Sequence, residues 1–450
     1  MNRTWLLATA AFVSGIALSS AAGAETIVVG IGHQSQVTNT VAGGVVMEKL
    51  KLVEKHLPKT GKYAGATFEV VYQDYSSGPP ITNQMLAGKL AFGVMGDYPL
   101  VVNGAKFQEA GKASLYIVTS GYNLKGTGNG IVVPVASPYY TLQDLKGKSI
   151  STPFGSASWG MTLKVLRDQG LLDSINLQNQ SPPVGVTNIA EGKIDAHADF
   201  TPWSEVMEFR GTGRKIFDGS EAGIPTLHGT VVAKEFADQY PEVVQAVVNA
   251  TLDGQEWIAK DPLEAAIKVA EWTGVEKEVL YLYFSKGGIS TFEGSLKPQW
   301  VDAMKYDHAL LVKERDVPPL DFDKWIEPKW VKAAYEARGM SYEKQLATVV
   351  TPKADDPALK PELWVEGEGI KSFDSIAALV SALQAAEKAG KTVNASYVYD
   401  KPTGLKLFGQ AAYYVMAEGG VLTAFMKKAA AEAFAASSKG KLVMLTDLMS

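Results

Sequence analysis

The chain has 450 residues, of which 43 are Lys or Arg, 48 are Asp or Glu and none is Cys. The lack of cysteine excludes disulfides, thiolate metal sites and cysteine nucleophiles. The charges are interspersed and sum to −5, which argues against nucleic acid as a partner. At this length we expect two to three domains, each with a substantial hydrophobic core.

The first 24 residues have the pattern of a secretory signal peptide. Arg3 supplies a positive charge, residues 5–18 are apolar, and Ala22-Gly23-Ala24 gives the small-x-small pattern of a cleavage site. The apolar core is shorter than the ~20 residues needed to span a bilayer. We therefore predict cleavage before Glu25 and a periplasmic protein. No cysteine follows the apolar stretch, so the usual lipid anchor is excluded.

From residue 26 to about residue 228, short β-branched runs alternate with amphipathic stretches, which is typical of layered α/β proteins. The pattern predicts strands at 26–31, 67–72, 90–94, 114–119, 130–135, 149–152 and 194–200, and helices at 41–55, 80–88 and 159–169.

The pattern changes after about residue 229, where successive helices are predicted at 235–259, 262–273, 276–284 and 298–314. Residues 351–371 are rich in proline and acidic residues and lack periodicity, which indicates a linker with few contacts across it. Residues 372–450 then form a separate unit. In it we predict helices at 372–388 and 427–437 and strands at 393–399, 411–417, 421–425 and 442–445.

Three turns rich in Gly or Ser connect a predicted strand to a predicted helix, at residues 32–35, 96–99 and 155–159. Ligands of open α/β sheets lie beyond the carboxyl ends of the strands. The first turn of a helix offers unpaired N–H groups there, which can hold an anion without any Lys or Arg. Ser156 and Ser158 add hydroxyl donors, although a serine before a helix is often only an N-cap. We expect these two hydroxyls not to face the same point.

Several motifs resemble the aliphatic-sulfonate, taurine and nitrate family of periplasmic binding proteins of ABC importers. They are SGPP from Ser77, LAGKLAFG from Leu86, GDYP from Gly96, DLKGKSISTPFGSASWGMTLKVLRDQGL from Asp144 and IAEGKIDAHADFTPW from Ile189. The resemblance covers most of residues 26–345. It implies an α/β, two-lobed type II periplasmic binding protein fold that closes on its ligand by hinge bending. It also implies an ABC permease and ATPase as partners.

In this interpretation lobe 1 comprises residues 25–119 and 229–350, and lobe 2 comprises residues 120–228. Position by position, the resemblance places Gln34, Gly96, Asp97, Tyr98, Ser156, Ala157, Ser158 and Trp203 at the ligand cleft. The turns themselves add Ser35 and His228 to this set. For a tryptophan the alternative is core packing. The chain departs from the family pattern at Asn83 or Gln84, where Glu is frequent, and at Ala91, where Asp is usual. These departures bear on ligand identity.

The C-terminal unit resembles the NosL-type copper-binding accessory proteins, in VNASYVYDKPTG from Val393, AAYYV from Ala411 and LTAFMKKAAAEAFAASSKGKLVMLTDL from Leu422. The Met-Cys motif and the Gly-Pro-Met-Gly turn of that family are missing. Soft Cu(I) needs thiolate or thioether ligands, and the methionines left to supply them are Met416, Met426, Met444 and Met449.

The sequence favours a binding protein for a small anion over an enzyme. Its five histidines are scattered, and neither a metalloprotease helix motif nor a Gly-x-Ser-x-Gly turn occurs. We predict no catalytic residue, no cofactor and no bound metal. Two alternatives stay open, namely a copper-handling protein that uses the C-terminal unit and a ligand-sensing module that docks to a receptor.

Overall fold

A computed structural model describes residues 25–348 and 356–449, so the predicted signal peptide and part of the predicted linker lie outside the described residues. The first segment builds most of one sheet. Its elements are β1 (Thr26–His33), α1 (Val45–Lys49), α2 (Leu52–His56), β2 (Thr67–Asp74), α3 (Gly78–Leu86), β3 (Phe92–Gly96), α4 (Asp97–Glu109) and β4 (Ser114–Asn123).

The second segment builds a separate sheet. It contains β5 (Gly130–Pro134), β6 (Ser149–Thr152), α5 (Ala157–Asp168), β7 (Asn176–Asn179), α6 (Pro182–Ala190), β8 (Ala196–Asp199), α7 (Trp203–Phe209) and β9 (Gly213–Asp218). The strand order is β7-β6-β8-β5-β9, with β6 parallel to both β7 and β8. We call residues 130–218 lobe 2.

The third segment returns to the first sheet through one strand and then becomes helical. It contains β10 (Thr226–Ala233), α8 (Lys234–Gln239), α9 (Pro241–Lys260), α10 (Pro262–Thr273), α11 (Lys277–Phe284), α12 (Pro298–Arg315), α13 (Phe322–Trp325), α14 (Lys329–Ala337) and α15 (Tyr342–Ala347). The first sheet has the order β2-β1-β3-β10-β4. Residues 25–123 and 226–348 form lobe 1.

The chain crosses between the lobes twice, through residues 124–129 and 219–225. The two crossovers lie side by side, since Gly219 donates its N–H to the carbonyl of Asn129 over 2.7 Å. Both crossovers lie within a few residues of the predicted boundaries. Because β4 and β10 pair along their length in the sheet of lobe 1, residues 120–123 and 226–228 belong to lobe 1 rather than to lobe 2.

The residues from 356 to 449 form a third unit, which we call the tail. Its elements are β11 (Glu362–Val365), β12 (Gly369–Ser372), α16 (Ile376–Lys388), β13 (Val393–Tyr399), β14 (Lys406–Phe408), β15 (Tyr413–Met416), β16 (Leu422–Phe425), α17 (Lys428–Ser438), β17 (Lys441–Val443) and α18 (Leu445–Met449). Two antiparallel sheets result, in the orders β12-β11-β13-β14 and β16-β15-β17. The predicted linker therefore contains a hairpin, β11 and β12, that belongs to the tail.

Short 3-10 turns complete the described structure, at Thr38–Gly43, Gly61–Tyr63, Leu124–Gly126, Leu142–Leu145, Leu172–Ser174, Gly219–Glu221, Gly409–Ala411 and Glu418–Gly420. Among the described residues, no helix combines the length and the hydrophobicity needed to cross a bilayer.

The tail packs against the body instead of hanging from a linker. Lys406 is 1% exposed, and its ammonium group donates to Ser285 Oγ of lobe 1 over 2.6 Å. The same group pairs with Glu362 over 2.8 Å and lies over the ring of Tyr281. The expectation of few contacts across the linker was therefore wrong, because the sequence gives no sign that a lysine of the tail is buried against α11.

Candidate ligand site between the lobes

A cavity of about 350 Å³ lies between the two lobes. Its walls come from the segments that follow β1, β2 and β3 in lobe 1 and β6, β7 and β8 in lobe 2, with one residue from β10. It therefore lies where ligands of open α/β sheets are found. The lining residues are Gln34, Ser77, Gly78, Pro79, Pro80, Gly96, Pro99, Pro153, Phe154, Ser156, Ala157, Asn179, Ser181, Pro182, Phe200 and His228.

The wall of this cavity is polar in places but carries no formal charge. Among the described residues that line it, none is Asp, Glu, Lys or Arg. Its polar side chains are amides, hydroxyls and one imidazole, and the remaining lining residues are proline, phenylalanine, glycine and alanine. Any anion held here is bound by neutral donors and backbone dipoles, as at other helix starts.

The start of α5 provides the clearest set of donors. Ser156 Oγ accepts the N–H of Trp159 over 3.2 Å, so this serine caps the helix. The backbone N–H groups of Ala157 and Ser158 precede the first intrahelical bond and have no acceptor among the described residues. Ser156 and Ala157 both line the cavity. The predicted anion-binding turn thus lies at the cavity wall.

Ser158 takes a different position from Ser156. Its side chain is fully buried, and its hydroxyl contacts Ser156 Oγ over 2.9 Å and Thr152 Oγ1 over 3.2 Å. The two hydroxyls contact each other but do not both face the cavity, because Ser156 alone lines it. Ser158 supports Ser156 from behind and does not line the cavity.

Three other helices begin at the cavity, but their starts are poor in donors. Pro79 and Pro80 lie in the first turn of α3, Pro182 begins α6, and Pro99 lies in the first turn of α4. Proline has no N–H group. These starts therefore present apolar rings to the cavity, and the helix-dipole argument applies mainly to α5.

Six lining residues of lobe 2 were missed by the sequence analysis, namely Pro153, Phe154, Asn179, Ser181, Pro182 and Phe200. Asn179 ends β7, and its Oδ1 accepts the N–H of Phe154 over 3.0 Å, which leaves its NH2 group free to face a ligand. Phe200 follows β8 and is 4% exposed. Such residues lie at the junction between a strand and the following helix. The sequence analysis considered only three of these junctions.

Asp97 lies below the cavity and has a structural role in this arrangement. Its carboxylate accepts from the N–H of Tyr98 over 2.8 Å, from Thr226 Oγ1 over 2.8 Å and from the N–H of Leu227 over 3.1 Å. It ties the start of α4 to β10. Burial nevertheless raises the pKa of Asp97 to about 6, because desolvation outweighs the three hydrogen bonds.

Tyr98 joins the lobes beside the cavity without lining it. Its ring packs edge-on against Trp159 of α5, with ring centroids 6.4 Å apart. A Cβ atom at Gly160 would overlap the Tyr98 ring, so glycine is required there for α4 and α5 to approach. Burial and the nearby Asp307 raise the pKa of Tyr98 well above its usual value.

His228 and Gly96 form one wall of the cavity from lobe 1. They are paired residues of β10 and β3. His228 is 3% exposed, and a Cβ at position 96 would lie 3.3 Å from His228 Nε2. Burial lowers the pKa of His228 to about 3, so the ring is neutral at physiological pH. Gln34, from the turn after β1, completes this side and is 4% exposed.

The remaining predicted residues are not brought to the cavity wall. Ser35 donates its N–H and its hydroxyl to Asp74, over 2.7 and 2.6 Å. Trp203 begins α7 and is 8% exposed, but it does not line the cavity. His33 is buried under Gly44 and packs against Tyr72.

The methionines of the tail do not meet at one point. Met416 and Met449 pack against the core of the tail, Met426 lines a small cavity between tail and body, and Met444 is 37% exposed. Among the described residues, no group of three or more His, Cys, Asp or Glu side chains could hold a metal ion.

Comparison with known proteins shows which proteins this chain is similar to. Residues 59–265 match the family model "NMT1/THI5 like". The taurine-binding periplasmic protein of Escherichia coli K12 is 29% identical over 238 residues, which are 52% of this chain and 70% of that protein. A putative aliphatic sulfonates-binding protein of the same organism is 24% identical over 283 residues, 61% of this chain and 83% of that protein.

A solved structure shows the same fold. The alkanesulfonate-binding protein SsuA from Xanthomonas axonopodis pv. citri, bound to MOPS, superposes with a TM-score of 0.56 at 22% identity and covers 68% of this chain and 99% of that chain. The two-lobed α/β fold is thus that of the periplasmic binding proteins, as the sequence predicts. Residues 59–265 match the NMT1/THI5-like family model, and the chain is similar to taurine- and sulfonate-binding periplasmic proteins.

Proposed function

We propose that this protein captures a small anion in the cavity between its lobes by hinge closure. The observation that supports this most is the set of neutral donors that both lobes present to one uncharged cavity, among them Ser156 and the backbone N–H of Ala157 at the start of α5. A ligand that bridges such donors stabilises the closed arrangement of the lobes.

We further propose that the protein delivers its ligand to an ABC permease and ATPase and does not turn it over. The relatives named above are binding proteins, two of them described as periplasmic or aliphatic sulfonates-binding. A periplasmic location agrees with the signal-peptide pattern of residues 1–24.

The ligand class that suits the cavity is a small sulfonate or a similar oxyanion. The lining combines hydroxyl and amide donors with Phe154, Phe200 and several proline rings. Donors suit the oxyanion, and the apolar surface suits a short organic group.

Calorimetric titration tests the proposal directly. The protein is titrated with ethanesulfonate, taurine, nitrate and acetate, and with ethanesulfonamide as the uncharged control for ethanesulfonate. We expect at least one anion to bind and the sulfonamide to bind far more weakly. Small-angle scattering with the bound anion should show a smaller radius of gyration. Failure of every anion to bind, or tight binding with an unchanged scattering profile, contradicts the proposal.

The resemblance of the tail to NosL-type proteins remains a hypothesis about its ancestry and not about copper binding. The positions of the four methionines support this view, because two of them share the core of the tail while Met426 lines another cavity and Met444 is exposed. Cu(I) needs several soft ligands at one point. Titration of the full chain with Cu(I) under a competing chelator should show no stoichiometric binding. Stoichiometric binding that is lost in Met426→Leu would restore copper handling as a function.

A further inference from the structure

We infer that His228 presents a fixed, uncharged Nε2–H donor to the bound anion, and that Asn39 and Ser290 are the positioning residues that set its tautomer. The inference rests on the proposed function, which supplies the anion. It assigns roles to two residues outside the cavity wall and specifies which atom of the histidine carries the proton.

In the structure the side-chain amide of Asn39 lies between Ser290 and His228, with Oδ1 towards the serine and the NH2 group towards the histidine. Ser290 Oγ donates to Asn39 Oδ1, and Ser120 Oγ donates to the Asn39 carbonyl over 2.8 Å. With Oδ1 engaged as an acceptor, the NH2 group is directed at His228 Nδ1, 3.3 Å away. An amide NH2 only donates, so Nδ1 accepts and the proton of the neutral ring is on Nε2.

The Nε2 edge of the ring is the one that faces the ligand site. His228 and Gly96 both line the cavity, and Nε2 is the ring atom nearest to the position that a side chain at residue 96 would occupy. Glycine at position 96 keeps this edge uncovered. The proton on Nε2 is thereby available to an anion in the cavity.

Burial keeps the ring neutral, so it acts as a dipole and not as a cation. The titratable groups on the elements packed against β10 include Asp97 and Tyr98 of α4, Tyr116 and Tyr122 of β4 and Asp307 of α12. The Asp97 carboxylate already accepts from Tyr98, Thr226 and Leu227. Desolvation lowers the pKa of His228. A donor of this kind gives an affinity for the anion that does not rise as the pH falls through 6.5.

The tautomer can be read without any ligand. In the full chain labelled with 15N-histidine, long-range 1H–15N spectra distinguish the two neutral tautomers and the imidazolium, and His228→Gln assigns the resonance. We expect the Nε2–H tautomer, unchanged from pH 5 to pH 8. A predominant Nδ1–H tautomer, or an imidazolium at pH 6, overturns the inference whether or not an anion binds.

Variants test the donor role with ethanesulfonate as the probe. His228→Leu should weaken binding about ten-fold, as expected for the loss of a hydrogen bond to a charged group. Asn39→Ala and Ser290→Ala should each yield a mixture of tautomers with a smaller loss of affinity. His308→Gln on α12, outside the cavity lining, should change neither the tautomer of His228 nor the affinity for ethanesulfonate.

The outcomes separate this inference from the proposed function. If ethanesulfonate binds the unaltered protein and His228→Leu binds it equally well, the donor role is wrong and the proposed function stands. If no anion of the panel binds the unaltered protein, the proposed function fails and the donor role fails with it. A pH-independent Nε2–H tautomer that is lost in Asn39→Ala would still establish the positioning chain.

Discussion

At the start of α5, the hydroxyl group of Ser156 caps the helix and contacts a neighbouring serine, and the residue also lines the cavity. Ser156 Oγ caps α5, contacts Ser158 Oγ and belongs to a residue that lines the cavity. A cap and a ligand contact are separate contributions, because one stabilises the fold and the other stabilises the complex. They can be measured separately.

Ser156→Ala should lower both stability and affinity. Loss of the cap costs about 1 kcal/mol of unfolding free energy, and loss of a hydroxyl donor to an anion weakens binding about ten-fold. Ser375→Ala is the matched control, since Ser375 caps α16 of the tail by accepting the N–H of Ala378 over 3.1 Å. Ser375→Ala should lower the stability of the protein and leave its affinity for the anion unchanged. Equal affinities of the two variants, by calorimetry, would assign Ser156 a capping role only.

Asp97 makes the stability of the protein depend on pH. Its pKa is 3.8 in the unfolded chain and about 6 in the folded protein. Its protonated form is therefore favoured by folding, and this contribution is fully present below pH 3.8 and is lost as the pH rises through 6. Asp97→Asn should flatten the pH dependence of the unfolding free energy between pH 4 and 7, by up to about 3 kcal/mol.

Urea unfolding at four pH values measures the Asp97 effect. The exposed Asp173→Asn controls for the loss of a negative charge and should leave the pH dependence as it is in the unaltered protein. If Asp97→Asn also leaves the pH dependence unchanged, the carboxylate is ionised throughout this range. The three hydrogen bonds that it accepts then stabilise the charged form more than burial disfavours it.

The predicted turn at residues 155–159 joins a strand to a helix, and two of its residues, Ser156 and Ala157, line the cavity. Their part in ligand binding stays a prediction. Asn179 was missed because its role depends on a hydrogen bond to Phe154, 25 residues away in the chain. Ser35 was misplaced because its two donors are engaged by Asp74, a partner that the turn itself does not reveal.

Between the lobes, the contact of α4 with α5 depends on the absence of one side chain. The ring of Tyr98 occupies the space over Gly160, and ring and helix come from different lobes. The contact depends on how close the two lobes are. We therefore expect a side chain at position 160 to affect the arrangement of the lobes rather than the folding of either lobe.

Gly160→Ala should weaken ligand binding while leaving each lobe folded. Alanine in place of glycine favours a helix by about 0.5–1 kcal/mol, but overpacking against Tyr98 opposes closure by about 1–3 kcal/mol. We expect an affinity loss of about ten-fold or more and a larger radius of gyration in the presence of ligand. Adding Tyr98→Ala should restore the compact form, and failure of this rescue would show that the contact does not limit closure.

The predicted bounds of a helix agree with the structure where local sequence signals define both of its ends. Helix α10 spans the predicted residues 262–273, since Asp261 caps its start and Gly274 ends it with a left-handed backbone. The predicted helix at 41–55 was wrong in part and is divided into a 3-10 turn, α1 and α2. Lys51 has a left-handed φ of 51°, and Gly44 lies against the ring of His33. That contact is tertiary, and no local pattern indicates it.

A buried cation, the ammonium group of Lys406, lies where the tail packs against lobe 1. Lys406 lies among Ser285, Glu362 and the rings of Tyr281 and Tyr397. Burial lowers its pKa, against the attraction of Glu362. Removing one partner of a buried ion pair leaves the other unpaired, which costs far more than the loss of a surface pair.

Lys406→Ala should destabilise the full chain by about 3–5 kcal/mol, the range for a broken buried ion pair. Lys427→Ala is the matched control, because Lys427 joins the tail to Glu221 through a more exposed ion pair. It should cost less than about 1 kcal/mol. Denaturant unfolding measures both. Similar values for the two variants would mean that the buried pair of Lys406 and Glu362 contributes no more to stability than the exposed pair of Lys427 and Glu221.

The tail contacts both lobes, and this has a consequence for hinge bending. Tyr397 of the tail donates to the Glu278 carbonyl of lobe 1 over 2.9 Å, while Phe408 packs against Phe209 of lobe 2. Opening of the cleft is therefore a three-body rearrangement, in which the tail keeps its place on one lobe and slides or parts from the other. Thermodynamic reciprocity then applies. Consider an antibody fragment that binds the tail in one lobe arrangement only. It must change the dissociation constant of the anion by the same factor by which the anion changes the dissociation constant of the fragment.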